Sequence, residues 1–88
     1  MKTIWKWHVP IEDEFSVQMQ QGTEVLSVQT QGWVPQMWAL VPDTDAPVET
    51  RRFAVRGTGH PWRGDEGRFV GTFQMDKFGL VFHLFEAK

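Results

Sequence analysis

Residues 14–31, EFSVQMQQGTEVLSVQTQ, alternate apolar and polar side chains on either side of a glycine. Successive side chains of a β-strand point to opposite faces, so Phe15, Val17 and Met19 share one face of a strand. The apolar positions do not recur at the 3.6-residue spacing of a helix. The stretch therefore predicts two strands joined at Gly22 by a tight hairpin turn, because glycine adopts positive φ without steric cost.

The period of two continues along the rest of the chain, with turn signals at intervals of roughly 8–12 residues. This spacing is typical of a β-sandwich or a β-barrel. The sequence predicts an all-β fold, a small antiparallel β-barrel or β-sandwich of six to seven strands, in one domain over residues 1–88. Residues 76–79, DKFG, are predicted to form a hairpin connection. The predicted strands are 3–9, 14–20, 24–31, 33–41, 50–56, 68–75 and 80–86.

The composition limits the classes of protein to which the chain can belong. It has 88 residues, five Trp, seven Phe and no Cys. The aromatic side chains, which bury about 150–250 Å² each, supply the core that so short a chain needs. Without cysteine there is no disulfide, thiolate zinc site or cysteine nucleophile. No stretch reaches the ~20 apolar residues of a membrane span and no signal peptide is visible, so we expect a soluble cytoplasmic protein with no membrane partner.

The charges are unevenly distributed along the chain. The net charge is −2, which argues against general nucleic-acid binding. Between Trp7 and Thr50 there are seven acidic residues and no Lys or Arg, whereas residues 51–88 hold seven basic and four acidic residues. Two interpretations stay open: strands from the two halves pair and neutralise each other, or the basic half forms a face that recruits an anion.

Residues 33–41, WVPQMWALV, are apolar at both alternating sets of positions. This pattern predicts a strand that is covered on both sides, by the core and by another sheet or subunit. An exposed apolar surface of this size on a small domain favours self-association. We therefore expect a homo-oligomer, a dimer or larger.

Residues 51–64, RRFAVRGTGHPWRG, carry the strongest candidate for a ligand site. A dinucleotide fingerprint needs a third glycine where this chain has Trp62, and a helix after it, which Pro61 interrupts. A Walker loop needs Gly-Lys-Ser or Gly-Lys-Thr, which the sequence lacks. Both standard phosphate motifs are therefore excluded.

A phosphate site outside these motifs remains possible in the same segment. Glycine-rich backbone can present several N–H groups to an anion, and arginine donates paired hydrogen bonds to phosphate. Tryptophans could stack on a base. The alternative is a wide turn in which Thr58 or His60 bonds its own backbone and the arginines pair with Glu49, Asp65 or Glu66. The candidate ligand-binding residues are Arg52, Arg56, Thr58, Gly59, His60, Trp33, Trp38 and Trp62.

Catalytic machinery is not evident. His8, His60 and His83 lack the spaced partners of a zinc site, and Ser16 and Ser27 have no base nearby in the sequence. We expect a non-enzymatic protein with no catalytic residue, no bound metal and no cofactor.

Six segments together resemble a group of small uncharacterised proteins encoded mostly by bacteriophages and prophages. They span nearly the whole chain, and the most specific parts are WALV followed by an Asp-Ala-Pro loop, and GTGHP. The family has no established activity, so the resemblance transfers no catalytic residue. The segments are MKTIWKW, VLSVQTQ, MWALVPDTDAP, RRFAVRGTGHP, FVGTFQ and VFHLFE.

The resemblance implies a phage accessory protein that works in the cytoplasm of the host bacterium. Such a protein without catalytic machinery would counteract host defence by binding. We expect it to sequester a small anionic, nucleotide-like signalling ligand in an intersubunit pocket. One alternative is a protein–protein inhibitor of a host nuclease or defence factor, acting through an acidic and aromatic surface. Another is a structural or assembly module of a phage particle.

Overall fold

The structure, a computed structural model, describes residues 1–75 and 79–88. It confirms the all-β prediction: every regular element in these residues is a strand. No helix in the described part of the chain is long and apolar enough to cross a membrane. The strands are β1 Thr3–His8, β2 Glu14–Gln20, β3 Glu24–Gln31, β4 Val34–Val41, β5 Val48–Gly57, β6 Arg68–Met75 and β7 Leu80–Glu86.

The strands form two antiparallel sheets that pack face to face. Sheet A has the order β1-β4-β3, and sheet B has the order β2-β5-β7-β6. The edge strands β3 and β6 approach each other, and the Thr30 hydroxyl donates to the Gln74 carbonyl at 2.6 Å. No ladder joins the two sheets among the described residues, so the fold is a sandwich and the barrel alternative is wrong.

The core lies between the sheets and is built from the positions that alternation assigned to one face. Met37 and Ala39 of sheet A are fully buried, as are Met19 and Leu84 of sheet B, and Phe53 is nearly so. Burying one such large side chain contributes about 1.5–3 kcal/mol. Phe53 also stacks on its cross-strand neighbour Phe15, with ring centroids 5.2 Å apart.

The predicted hairpin at Gly22 is wrong, although the turn itself forms. Gly22 has a φ of 83°, and the Thr23 amide donates to the Gln20 carbonyl. However, β2 pairs with β5, and β3 pairs with β4, so this turn carries the chain from one sheet to the other. Alternation specifies which face of a strand is buried, but it does not specify the neighbouring strand.

The turn between β3 and β4 does form a hairpin. Gly32 and Trp33 connect the paired residues Gln31 and Val34, with Gly32 at a φ of 64°. Strands β6 and β7 pair antiparallel, as predicted. Of their predicted connection, residues 76–78 lie outside the described residues.

The connection between β5 and β6 is the feature that positions the candidate site. Both strands run antiparallel to β7, which lies between them, so they run parallel to each other. Residues 58–67, which we call the crossover loop, must therefore cross from one end of sheet B to the other. The loop lies on the outer face of sheet B. Its Glu66 contacts Arg56, which follows the core residue Val55 along β5 and so has its side chain on the opposite face.

Gly67 ends the crossover loop where the backbone passes against β7. Its φ is 101°, and a Cβ at this position would overlap the Glu86 carbonyl oxygen. Gly64 has a similar φ of 90°, but open space surrounds it. Only glycine therefore satisfies both requirements at position 67, the backbone conformation and the close approach.

We predict that G67A destabilises the fold by about 3 kcal/mol or more, since it adds a backbone clash to the strain of positive φ. G64A is the matched control, because it carries a similar strain without the clash and should cost about 1–2 kcal/mol. Urea unfolding followed by tryptophan fluorescence measures both values. Equal losses in the two variants would show that the approach to Glu86 does not constrain the loop.

Candidate functional site

The crossover loop is fixed to sheet B by an ion pair between Arg56 and Glu66. The Arg56 Nε donates to a Glu66 carboxylate oxygen at 2.8 Å. The same guanidinium also donates to the Asp13 carbonyl at 2.8 Å, which attaches the loop before β2. The two side chains are only 11% and 1% exposed. A charge pair this buried persists only when further hydrogen bonds satisfy it.

The loop's own backbone supplies those further hydrogen bonds. The amides of Arg63 and Gly64 donate to the Glu66 carboxylate at 2.9 Å and 2.8 Å. Burial by itself would raise the pKa of Glu66, but the hydrogen bonds from the Arg63, Glu66 and Gly64 amides and from Arg56 outweigh it. The pKa of Glu66 is therefore lowered, and its carboxylate is charged at neutral pH.

This arrangement has a direct consequence for phosphate binding. The sequence suggested that loop N–H groups and the Arg56 guanidinium bind an external anion. In the structure they bind the Glu66 carboxylate of the chain itself. Arg51 likewise pairs with Glu86 at 2.6 Å, and Arg63 lies 4.0 Å from Asp65. The geometry therefore agrees with the alternative interpretation, in which the arginines pair with nearby acids.

A cleft opens between the crossover loop and the outer face of β7. Its volume is about 320 Å³, and the loop forms one wall while β7 forms the other. It brings together five of the eight predicted ligand-binding residues. Those five are Arg56, Thr58, Gly59, His60 and Trp62; Gly57, His83 and Phe85 complete the lining.

His83 is held at the floor of this cleft by two hydroxyl groups. Its Nε2 lies 2.8 Å from the Thr58 hydroxyl, and its Nδ1 lies 2.9 Å from the Thr72 hydroxyl. A nucleophile–base pair could look similar, and in the Ser-His-Asp arrangement a carboxylate orients the histidine and stabilises its imidazolium. Thr72 carries no charge, so we interpret the contacts as orienting the ring and the Thr58 hydroxyl for binding.

His60 covers the inner end of the same cleft. A Cβ added to Gly57 would meet the His60 Nδ1 at 2.9 Å, so the ring rests directly on the glycine backbone. The His60 amide also donates to the Gly57 carbonyl at 3.0 Å, which closes a turn. A second cleft of about 400 Å³ lies beyond this ring and shares Arg56, Gly57 and His60 with the first.

The other three predicted residues lie elsewhere. Arg52 is exposed on the outer face of sheet B, in a separate cleft with Glu14 and Asp65. None of the ion pairs among the described residues involves Arg52. Trp38 lies in the middle of sheet A, and Trp33 occupies the β3–β4 turn, 62% exposed. The structure therefore gathers five of the eight predicted residues, but not all of them, into one site.

Sequence reasoning missed His83 and Phe85 as lining residues. Their alternation with the buried Leu84 already placed both on the outer face of β7. The sequence does not show that β5 lies beside β7, because the two strands are 23 residues apart in the chain even at their nearest ends, Gly57 and Leu80. Among the described residues, no three His, Cys, Asp or Glu side chains converge as a metal site.

The whole chain, residues 1–88, matches DUF7352, a domain of unknown function. The chain belongs to this family, which agrees with the resemblance to an uncharacterised group. No significant match was found among curated proteins or among solved structures.

We predict that E66Q lowers the melting temperature at pH 7, since the amide loses the charge that Arg56 and the loop amides bind. Because the folded-state pKa of Glu66 lies below its ordinary value of 4.5, this stabilisation is present above pH 4.5 and is lost as pH falls through the lower pKa. The difference in melting temperature between wild type and E66Q should therefore shrink below pH 4.5. A difference in melting temperature that stays constant to pH 3 would contradict the stabilising role of the charged Glu66 carboxylate.

Proposed function

We propose that this chain is a non-enzymatic binding protein that holds a small nucleotide-like ligand in the cleft between the crossover loop and β7. The observation that carries the proposal is the convergence of Thr58, His60 and Trp62 with His83 and Phe85 around one opening. These residues come from a loop and a strand that only the fold brings together. They offer aromatic surface together with hydroxyl and imidazole groups at its border.

The size and chemistry of the cleft favour a flat ring. Its volume of about 320 Å³ is at the small end of the range for ligand sites. Trp62 is 69% exposed and can stack on a base, and base–aromatic stacking contributes about 1–3 kcal/mol per base. The Thr58 hydroxyl, fixed by His83, can bond the edge of the ring.

The charges around the cleft limit the number of phosphates such a ligand carries. The adjoining cleft contains Arg63, whose side chain is 64% exposed and only loosely paired with Asp65. It also contains the three exposed acids of residues 12–14. One phosphate can meet Arg63, but a triphosphate would be repelled by the acids. We therefore favour a nucleoside or a monophosphate unit over a nucleoside triphosphate.

The cleft is built by one subunit, so the intersubunit pocket is not needed for this proposal. A phage protein in the host cytoplasm that retains a nucleotide-derived signal would counteract host defence without turnover. Tight binding by stacking and hydrogen bonds suits that role. Arg52, on the other side of the crossover loop, has no part in this cleft.

Inhibition of a host nuclease or defence factor is the second candidate. It is supported by the exposed acids at Glu12, Asp13 and Glu14, none of which is in an ion pair among the described residues. Such a surface can imitate the phosphates of nucleic acid. This function predicts a stable complex with a host protein, together with a nucleotide panel that leaves the melting temperature unchanged.

We predict that nucleosides and nucleoside monophosphates raise the melting temperature of the wild-type protein, because a ligand that binds only the folded state stabilises it. W62A should weaken binding about tenfold or more, through loss of the stacking surface. Differential scanning fluorimetry detects the shift, and isothermal titration calorimetry gives the affinity.

W33A is the matched control, because Trp33 is about as exposed as Trp62 but lies in the β3–β4 turn of sheet A and does not line the cleft. It should bind as wild type does. Equal affinities in W62A and W33A would exclude the crossover cleft, and a panel without any shift would exclude a nucleotide-like ligand.

A further inference from the structure

The outer face of sheet A is an exposed surface that the crossover cleft does not use. It presents Ile4 and Lys6 from β1, Trp38 and Leu40 from β4, and Glu24 from β3. Ile4 is 55% exposed, while Trp38 and Leu40 are half-buried. This is the second face of the strand that is apolar on both sides.

Two unpaired charges of opposite sign flank the apolar centre of this face. Lys6 lies directly beside Trp38 in the β1–β4 register, and Glu24 lies directly beside Leu40 on the other side of β4. None of the ion pairs among the described residues involves either one. The Lys6 ammonium instead donates to the neutral Gln31 side chain at 2.6 Å.

We propose that this face packs against the same face of a second copy, with a two-fold axis that runs along β4. Rotation about that axis leaves each residue's position along the strand direction unchanged. It places β1 of one subunit opposite β3 of the other. Trp38 then meets Trp38 of the partner subunit. Lys6 then lies over β3 of the partner subunit. The partner subunit's Glu24 is two residues further along that strand direction, a distance of about 7 Å.

Symmetry makes this approach occur twice. In each case the Lys6 ammonium exchanges its hydrogen bond with Gln31 for one with the partner subunit's Glu24. A two-fold axis perpendicular to the strands through Trp38 would instead put Lys6 on Lys6 of the partner subunit. Like charges placed together at an interface disfavour the arrangement. The charge pattern therefore favours the two-fold axis along β4 over the one perpendicular to the strands.

The extent of the face indicates a weak association. Its length along β4 is about 27 Å, and its width over three strands is about 15 Å. Two copies thus cover about 800 Å² of projected surface, at the low end for protein complexes. The dimer should dissociate on dilution, and its detection requires protein at tens to hundreds of micromolar.

Charge reversal tests both the face and the symmetry. Sedimentation equilibrium on wild type, K6E, E24K and the double variant K6E/E24K gives the four dimer dissociation constants. Each single reversal places two pairs of like charges at the interface and should raise the constant about tenfold or more. The double variant restores opposite charges and should return to within about threefold of wild type.

The control is E12K with K88E, two reversals outside this face that leave the net charge unchanged, and it should dimerise as wild type does. Thermal melts show that each variant is folded, since all the altered side chains are exposed. The proposal is overturned if wild type stays monomeric at 1 mM, if single reversals leave the constant unchanged, or if the double variant stays as weak as the singles.

Discussion

The buried ion pair between Arg56 and Glu66 is the constraint on which the candidate site depends. Thr58 bonds the start of the crossover loop to β7. The position of the rest of the loop on sheet B rests on this carboxylate, on the amides of Arg63 and Gly64 that bind it, and on the close approach of Gly67 to β7. The same guanidinium reaches the Asp13 carbonyl. One side chain therefore joins three segments that are distant in the sequence.

The Arg56–Glu66 ion pair also limits the kind of ligand that we propose for the loop. A glycine-rich loop after an arginine strand suggests an anion site, but here the anion is part of the chain. The groups left for an external ligand are the Thr58 hydroxyl, the imidazoles and the Trp62 ring. The proposed ligand therefore has few phosphates, because stacking and hydrogen bonds, not charge, would have to recognise it.

The two proposed interactions lie on different sheets. The outer face of sheet B is partly covered by the crossover loop, which forms the cleft. The outer face of sheet A carries no such cover, so Trp38 and Leu40 remain half-buried, with Lys6 and Glu24 unpaired on either side. The proposed ligand site and the proposed dimer face therefore lie on different sheets, so substitutions can test each one separately.

The sequence by itself determined the strands and most of their buried faces, because alternation with a period of two is a local property. It also indicated Thr58, His60 and Trp62 as candidates, since a glycine-rich loop is visible in any order of strands. Only the tertiary structure decided that Gly22 connects two sheets, that His83 and Phe85 face the loop, and that Glu66 occupies its anion site. The pairing of β2 with β5 and of β5 with β7 depends on contacts between residues far apart in the chain, and no local pattern encodes it.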